Sequence, residues 1–240
     1  MKYIDATFAR PEENLACDEA LLDCAEEQGG PEVLRFWESP MDFVVLGYGN
    51  KAEKEIELSA CRREGIPVLR RSSGGGAVLQ GPGVLNYALV LGIHNAWPVE
   101  SISAANRFIM ERHRAALEAL LNAGQKITVQ GHTDLTLGDK KFSGNAQRRK
   151  REFLLFHGTV LHKFDLSKMR YLRMPSRQPD YRQGRGHEEF VQNFPKASQE
   201  IRDALRRSWP AQETLDGAPI HAIERLIREK YGRPEWNLRS

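Results

Sequence analysis

Three stretches of the chain combine residue types that can do chemistry. The first is Arg70-Arg71-Ser72-Ser73-Gly74-Gly75-Gly76-Ala77-Val78. Each ordered glycine costs roughly 0.5–1 kcal/mol relative to alanine and offers no side chain to pack. A fold tolerates three in a row where something must approach the bare backbone, and two arginines and two serines just upstream suit an anion. A glycine-rich hairpin with a solvated basic flank shows the same pattern, and the local residues do not separate the two. The second stretch is Lys141-Phe142-Ser143-Gly144, a lysine two residues before a small, open backbone. A lysine in a β-ribbon is ordinarily a solvated residue, and the neighbouring Ser-Gly is what argues for a ligand. The third is His157-Gly158-Thr159-Val160-Leu161, with Asp134 and Arg148 at other strand ends. A packed strand histidine and a turn aspartate are the plain alternatives for His157 and Asp134.

The elements that must carry these residues follow from hydrophobic period and breakers. Pro11 opens a helix over 11–27, which Gly29-Gly30-Pro31 ends. Strands are expected at 33–37 and 43–47, a short helix at 53–63, and a strand at 66–69 leading into the glycines. A second strand, 84–91, follows them. Residues 102–120 hold the clearest helical period, with Ser101 or Ser103 as cap. A short strand at 126–129 precedes antiparallel strands at 133–137, 140–147 and 153–162, the last turn being Arg148-Arg149-Lys150-Arg151. A short helix over 165–171, a Pro- and Arg-rich loop from Met174 to His187, and helices near 197–208 and 219–231 complete the chain. With no repeat and no break in composition, one α+β domain over 1–240 is the simplest account.

Composition bounds the function. Hydrophobic residues are 40% and charged residues 28% of 240, ordinary for a globular protein. A net charge of +3 gives little support to nucleic-acid binding through 148–151 or 202–207, where a solvated face explains the charge. Three irregularly spaced cysteines, Cys17, Cys24 and Cys61, argue against a disulfide framework and for a reducing, cytoplasmic setting. No signal-peptide core and no apolar run of about 20 residues is present, so no membrane partner is expected.

Taken together, the motifs resemble the lipoate–protein ligase family. That family carries Arg-Arg-x-Ser-Gly-Gly-Gly-Ala-Val, Gly-x-Leu-Asn, Lys-x-Ser-Gly and His-Gly-Thr-(Leu/Val)-Leu in this order. Here they stand as Arg70–Val78, Gly83–Asn86, Lys141–Gly144 and His157–Leu161. Asn14-Leu15-Ala16-x-Asp18-Glu19-Ala20-Leu21-Leu22 is similar to the family's first helix, and Lys230-Tyr231 followed by Trp236-Asn237 to the end of its catalytic domain. The resemblance implies a biotin/lipoate ligase-like catalytic domain, a mixed, mostly antiparallel sheet flanked by helices. It implies activation of lipoate or octanoate by ATP, with Mg²⁺, to an acyl-AMP, and transfer to a lysine of an acceptor protein, a lipoyl domain or a glycine-cleavage H-like protein. Lys141 would be the central electrophilic residue, a compact cation between acyl carboxylate and phosphate. Arg70, Arg71, Ser73, Gly74, Gly75, Gly76, Ala77, Asn86, Asp134, Ser143, Gly144, Arg148 and His157 would bind substrate and nucleotide. Asp134 is the expected magnesium contact, and Trp37, Gly47 and His157 the expected lining of the acyl tunnel.

Two departures stand out. Many members read His-Asp where this chain has Gln80-Gly81, which puts the nucleotide contacts of that loop in question. Larger members carry an accessory C-terminal domain, whereas this chain ends three residues past Asn237; a catalytic domain complemented by a separate accessory subunit and a bare domain that works alone are the two expectations. The nearest rival is an ATP-independent octanoyl or lipoyl transferase of the same fold, which works through a cysteine thioester. The segment Val129–Asp134 holds no cysteine, and helical packing explains Cys17 and Cys24. A biotin ligase is expected to show Gly-Arg-Gly-Arg in place of the serine–glycine run. Intact Lys141 and Gly74–Gly76 argue against a binding module that has lost activity.

Overall fold

The longest apolar run of the sequence becomes the middle of the main sheet. The computed structural model describes residues 1–175 and 178–239; Ser176 and Arg177 of the Pro- and Arg-rich loop, and the last residue Ser240, lie outside the described residues. The strands are β1 (Lys2–Asp5), β2 (Val33–Trp37), β3 (Phe43–Leu46), β4 (Val68–Arg70), β5 (Val78–Gln80), β6 (Val84–Gly92), β7 (Ile127–Gln130), β8 (Asp134–Leu137), β9 (Lys140–Arg149), β10 (Phe153–Leu161) and β11 (Glu213–Thr214). The helices are α1 (Pro11–Gln28), α2 (Ala52–Glu55), α3 (Leu58–Arg63), α4 (Ile102–Glu118), α5 (His187–Phe190), α6 (Ser198–Ser208), α7 (Ile220–Leu226) and α8 (Pro234–Asn237). Eight strands form one sheet in the order β11-β1-β2-β6-β10-β9-β8-β7, and three form a second, β4-β3-β5. In the large sheet β1 runs parallel to β2 and β11, and every other ladder is antiparallel.

Every residue of β6 is buried because both faces of the sheet are covered. Its alternation assigns the faces: Leu85, Tyr87, Leu89 and Leu91 join one core with Ile109, Met110 and Leu117 of α4 and Ile201 and Leu205 of α6. Ala88 and Val90 join the other, with Leu15, Leu21 and Leu22 of α1 and Ile223 of α7. The small sheet packs a third core against a 3-10 turn at Leu166–Tyr171 and Phe190.

The structure corrects several sequence expectations. The glycine run is not a hairpin: β4 and β5 lie on opposite sides of β3, one parallel and one antiparallel to it. The helix expected at 53–63 is split into α2 and α3, since Ile56 adopts extended backbone and bridges Leu172. Residues 165–171 form a 3-10 turn, and the last long helix ends in a π turn at Ile227–Tyr231. The short strands β1, β5 and β11 carry too few residues to show a period.

Between β5 and β6 the chain reverses at Gly81-Pro82-Gly83. Gly83 has φ +89°, and a Cβ there would lie 2.3 Å from the Lys163 carbonyl carbon. Its carbonyl accepts from His162 N and Lys163 N, tying β6 to the end of β10. Gly83→Ala is expected to cost about 1–3 kcal/mol from backbone strain alone; urea unfolding will show a lower midpoint at unchanged slope.

Candidate active site

A cleft of about 950 Å³ opens where β6, β9 and β10 pass beneath the loop between β4 and β5. Its apolar wall includes Leu15, Trp37, Val45 and Val78, and its polar wall includes Lys141, Asp134, Asn86 and His157. The volume suits a small-molecule site.

A local irregularity positions Lys141. In the β8–β9 ladder Leu135 pairs with Ser143 but Thr136 pairs with Lys141, so β9 uses one residue more than β8. Such a bulge shifts the side-chain alternation by one. Lys141 and Gly144, three apart, therefore meet on one side of the strand. A Cβ on Gly144 would fall 2.7 Å from Lys141 Nζ, so the glycine makes room for the lysine. Lys141 Nζ lies 2.8 Å from Asp134 Oδ1. The other carboxylate oxygen accepts from Tyr181 OH at 2.7 Å. Burial, then the charge of Asp134, pushes the Tyr181 phenol above its usual range and keeps it a donor. Asp134 thus partners Lys141 through one oxygen and Tyr181 through the other, and each oxygen keeps a lone pair for a further contact. Among the described residues no three His, Cys, Asp or Glu side chains cluster as a metal site.

The glycine loop is held from behind by arginines. Arg71 donates from Nε to Ser73 Oγ at 3.1 Å, and from its terminal nitrogen to the carbonyls of Gly74 and of Gly76, the latter at 2.9 Å. Burial pushes its guanidinium down to about 10. Gly75, at φ +90°, would place a Cβ 2.8 Å from the same guanidinium. Gly47 sits beneath the loop, where a Cβ would fall 2.0 Å from Gly75 O. Arg148 donates to Ser72 O at 3.0 Å from the other side.

Arg70 does not reach the cleft. Fully buried, it donates to the carbonyls of Gly47, Tyr48, Asn50, Trp236 and Arg239. Trp236 Nε1 and Asn237 Oδ1 pair in turn with the Arg70 backbone. Arg70, Gly47 and Arg148 thus surround the loop and Ser73 and Gly74 belong to it without lining the cleft, while Arg71, Gly75, Gly76, Ala77, Asn86, Asp134, Lys141, Ser143, Gly144, His157 and Trp37 line the cleft. The Trp37 indole N–H is buried there with no acceptor among the described residues. The basic turn at 148–151 spends its charge internally: Arg149 donates to Val99 O and Glu100 O, and Lys150 pairs with Asp23 at 2.7 Å.

The Gln80-Gly81 departure has a local explanation. Gln80 and Asn86 exchange amide hydrogen bonds of 2.7 and 2.9 Å at the cleft wall. A Cβ at Gly81 would lie 2.2 Å from Asp42 Oδ1, so that carboxylate takes the room a side chain at 81 would need.

Sequence reasoning assigned no site role to Asp18, Arg35 or Tyr181, and flagged Gln80 only as a departure from the motif. A signal for Arg35 was present: a charge inside the apolar strand Val33–Trp37 demands a buried acid. Tyr181 carried none.

Residues 10–216 match the family described as the lipoyl protein ligase A/B catalytic domain, and the chain belongs to that family. It is 28% identical over 267 residues to octanoyltransferase LipM of Carboxydothermus hydrogenoformans, spanning 99% of this chain and 98% of that one. It is also 28% identical over 241 residues to lipoate-protein ligase A subunit 1 of Thermoplasma acidophilum, covering 94% and 91%. A crystal structure of lipoate-protein ligase A bound with ATP superposes with a TM-score of 0.83 at 25% identity, covering 99% and 98%. The protein is therefore an enzyme of the lipoate ligase/octanoyltransferase family, with members of both activities among its relatives.

The geometry predicts a structural role for Arg70. Arg70→Lys leaves buried carbonyls without donors, each costing roughly 1–3 kcal/mol. Thermal unfolding should show a drop of several degrees in Tm, and the basal secondary structure measured by circular dichroism below that Tm should be unchanged.

Proposed function

We propose that the protein is an ATP-dependent lipoate–protein ligase, activating lipoate or octanoate and passing it to a lysine of a lipoyl-type acceptor domain. The observation that carries the reading is Lys141. It is a partly exposed cation, set by the β9 bulge on the polar wall of a cleft that also has an apolar wall of Leu15, Trp37, Val45 and Val78. An acyl chain fits the apolar arm beside Trp37 and Val45, with its carboxylate directed to Lys141. ATP, consumed as a co-substrate, supplies the leaving group: a carboxylate oxygen bonds to the α-phosphorus as the bond to pyrophosphate breaks. Lys141 offsets the negative charge that gathers between the two oxygens, and Asp134 and Tyr181 fix its direction. The backbone N–H groups of the Gly74–Gly76 loop are available to phosphate oxygens. In the second step the acceptor amine bonds to the acyl carbon, AMP departs, and the amine loses a proton.

Cysteine placement favours this over thioester transfer. Cys17 and Cys61 are fully buried, and no cysteine is among the residues lining the cleft. Burial pushes the Cys17 thiol up to about 11, far from a thiolate at neutral pH. The unpaired cysteines agree with a reducing, cytoplasmic setting. Among the described residues no helix is long and apolar enough to cross a membrane. The relative named as subunit 1 supports a separate accessory subunit for this chain as well.

Pyrophosphate release is expected with lipoate or octanoate and not with biotin. Lys141→Ala should lower that release by about 10²–10³ with an unchanged urea midpoint. Acyl movement between carrier proteins without pyrophosphate would instead establish the transferase.

A further inference from the structure

Behind the glycine loop runs a buried chain of polar groups that the proposed chemistry does not use. Arg35 of β2 is wholly buried and lies 2.5 Å from Asp18 Oδ1 of α1. It also donates to Asn14 O at 2.7 Å, Asn14 Oδ1 at 3.0 Å and Ala6 O at 2.8 Å. Asp18 Oδ2 is 3.3 Å from His157 Nδ1. His157 Nε2 is 2.6 Å from Ser73 Oγ. Ser73 Oγ accepts from Arg71 Nε, and Arg71 grips the carbonyls of Gly74 and Gly76.

The donors set the direction. Arginine only donates and an ionised carboxylate only accepts. Burial alone would raise the Asp18 carboxyl, but Arg35 and His157 more than offset it and hold it below the usual range. With one proton on the ring, His157 donates from Nδ1 to Asp18 and accepts at Nε2 from the Ser73 hydroxyl. Ser73 then presents a lone pair to Arg71. Each link fixes the next from α1 to the loop.

A Ser-His-Asp order also suits a nucleophilic serine. Ser73 is only 2% exposed, does not line the cleft, and has its oxygen covered by Arg71 and His157. An acyl carbon does not reach it. The array acts through Arg71.

We propose that Asp18 and Arg35 are positioning residues. They fix the His157 tautomer, and through Ser73 and Arg71 they set the conformation of the Gly74–Gly76 loop that binds the anionic substrate. Only the kinetic consequence rests on the ligase reading; the effect on the loop does not.

The test is a double-variant cycle on the full-length, ligand-free protein, read by nuclear magnetic resonance. In the wild type, ¹⁵N shifts of the His157 ring should show the proton on Nδ1. Asp18→Asn should abolish that preference. Asp18→Asn and Ser73→Ala should each speed amide exchange at Gly74–Gly76 by about tenfold, and the double variant no more than the larger single. If Asp18→Asn does not fold, His157→Gln takes its place in the cycle. In the ligase assay both variants should lower kcat more than they raise KM for lipoate. Multiplying effects in the double variant, unchanged loop exchange in Ser73→Ala, or an Nε2-protonated ring in the wild type would overturn the proposal. A wild type lacking ATP-dependent activity would refute the ligase reading and leave the exchange result to decide this one.

Discussion

A loop made of three glycines has no side chains with which to hold its own shape. Each glycine also loses more backbone freedom on ordering than any other residue. The conformation of Gly74–Gly76 must therefore be imposed from outside, and much of the molecule is arranged to impose it. Arg71 spans the loop carbonyls from within. Gly47 lets the β3 end approach Gly75 closely enough to support it. Arg70 gathers the 47–50 turn and the C-terminal 236–239 segment into one buried hub directly before the loop. The two arginines before the glycines also serve as internal struts, with burial lowering the proton affinity of both.

The lysine is positioned by a different device. A regular strand would send Lys141 and Gly144 to opposite sides, because they are an odd number of residues apart. The extra residue in β9 brings them together, and the missing Cβ of Gly144 gives the ammonium its place. The same economy recurs at Gly158, where a Cβ would fall 1.6 Å from Asn145 Oδ1. The glycines of the Lys-x-Ser-Gly and His-Gly-Thr motifs are thus steric vacancies filled by neighbouring polar side chains, and their conformational freedom plays no part.

Much of this was legible in the sequence. The long strand at 84–91, the helix at 102–120 and the antiparallel run from 133 to 162 follow from period and breakers, because each is long enough to show one. The four motifs point to one cleft, and most of their residues line it. What stayed hidden depends on tertiary pairing. Neither the pairing of β4 and β5 through β3 nor the β9 bulge has a local signature. Tyr181 comes from an irregular segment with no period to read, and Asp18 becomes meaningful only once Arg35 is seen opposite it.

In the proposed reaction a carboxylate oxygen of the acyl substrate attacks phosphorus, with Lys141 holding the charge. Incubation of the enzyme with ATP, octanoate labelled with ¹⁸O in both carboxylate positions, and a lipoyl-domain acceptor tests it most directly. Octanoylated acceptor together with AMP carrying one ¹⁸O, detected by mass spectrometry, is the expected result. Octanoyl transfer from a carrier thioester in the absence of ATP, with no labelled AMP formed from free octanoate, would contradict it.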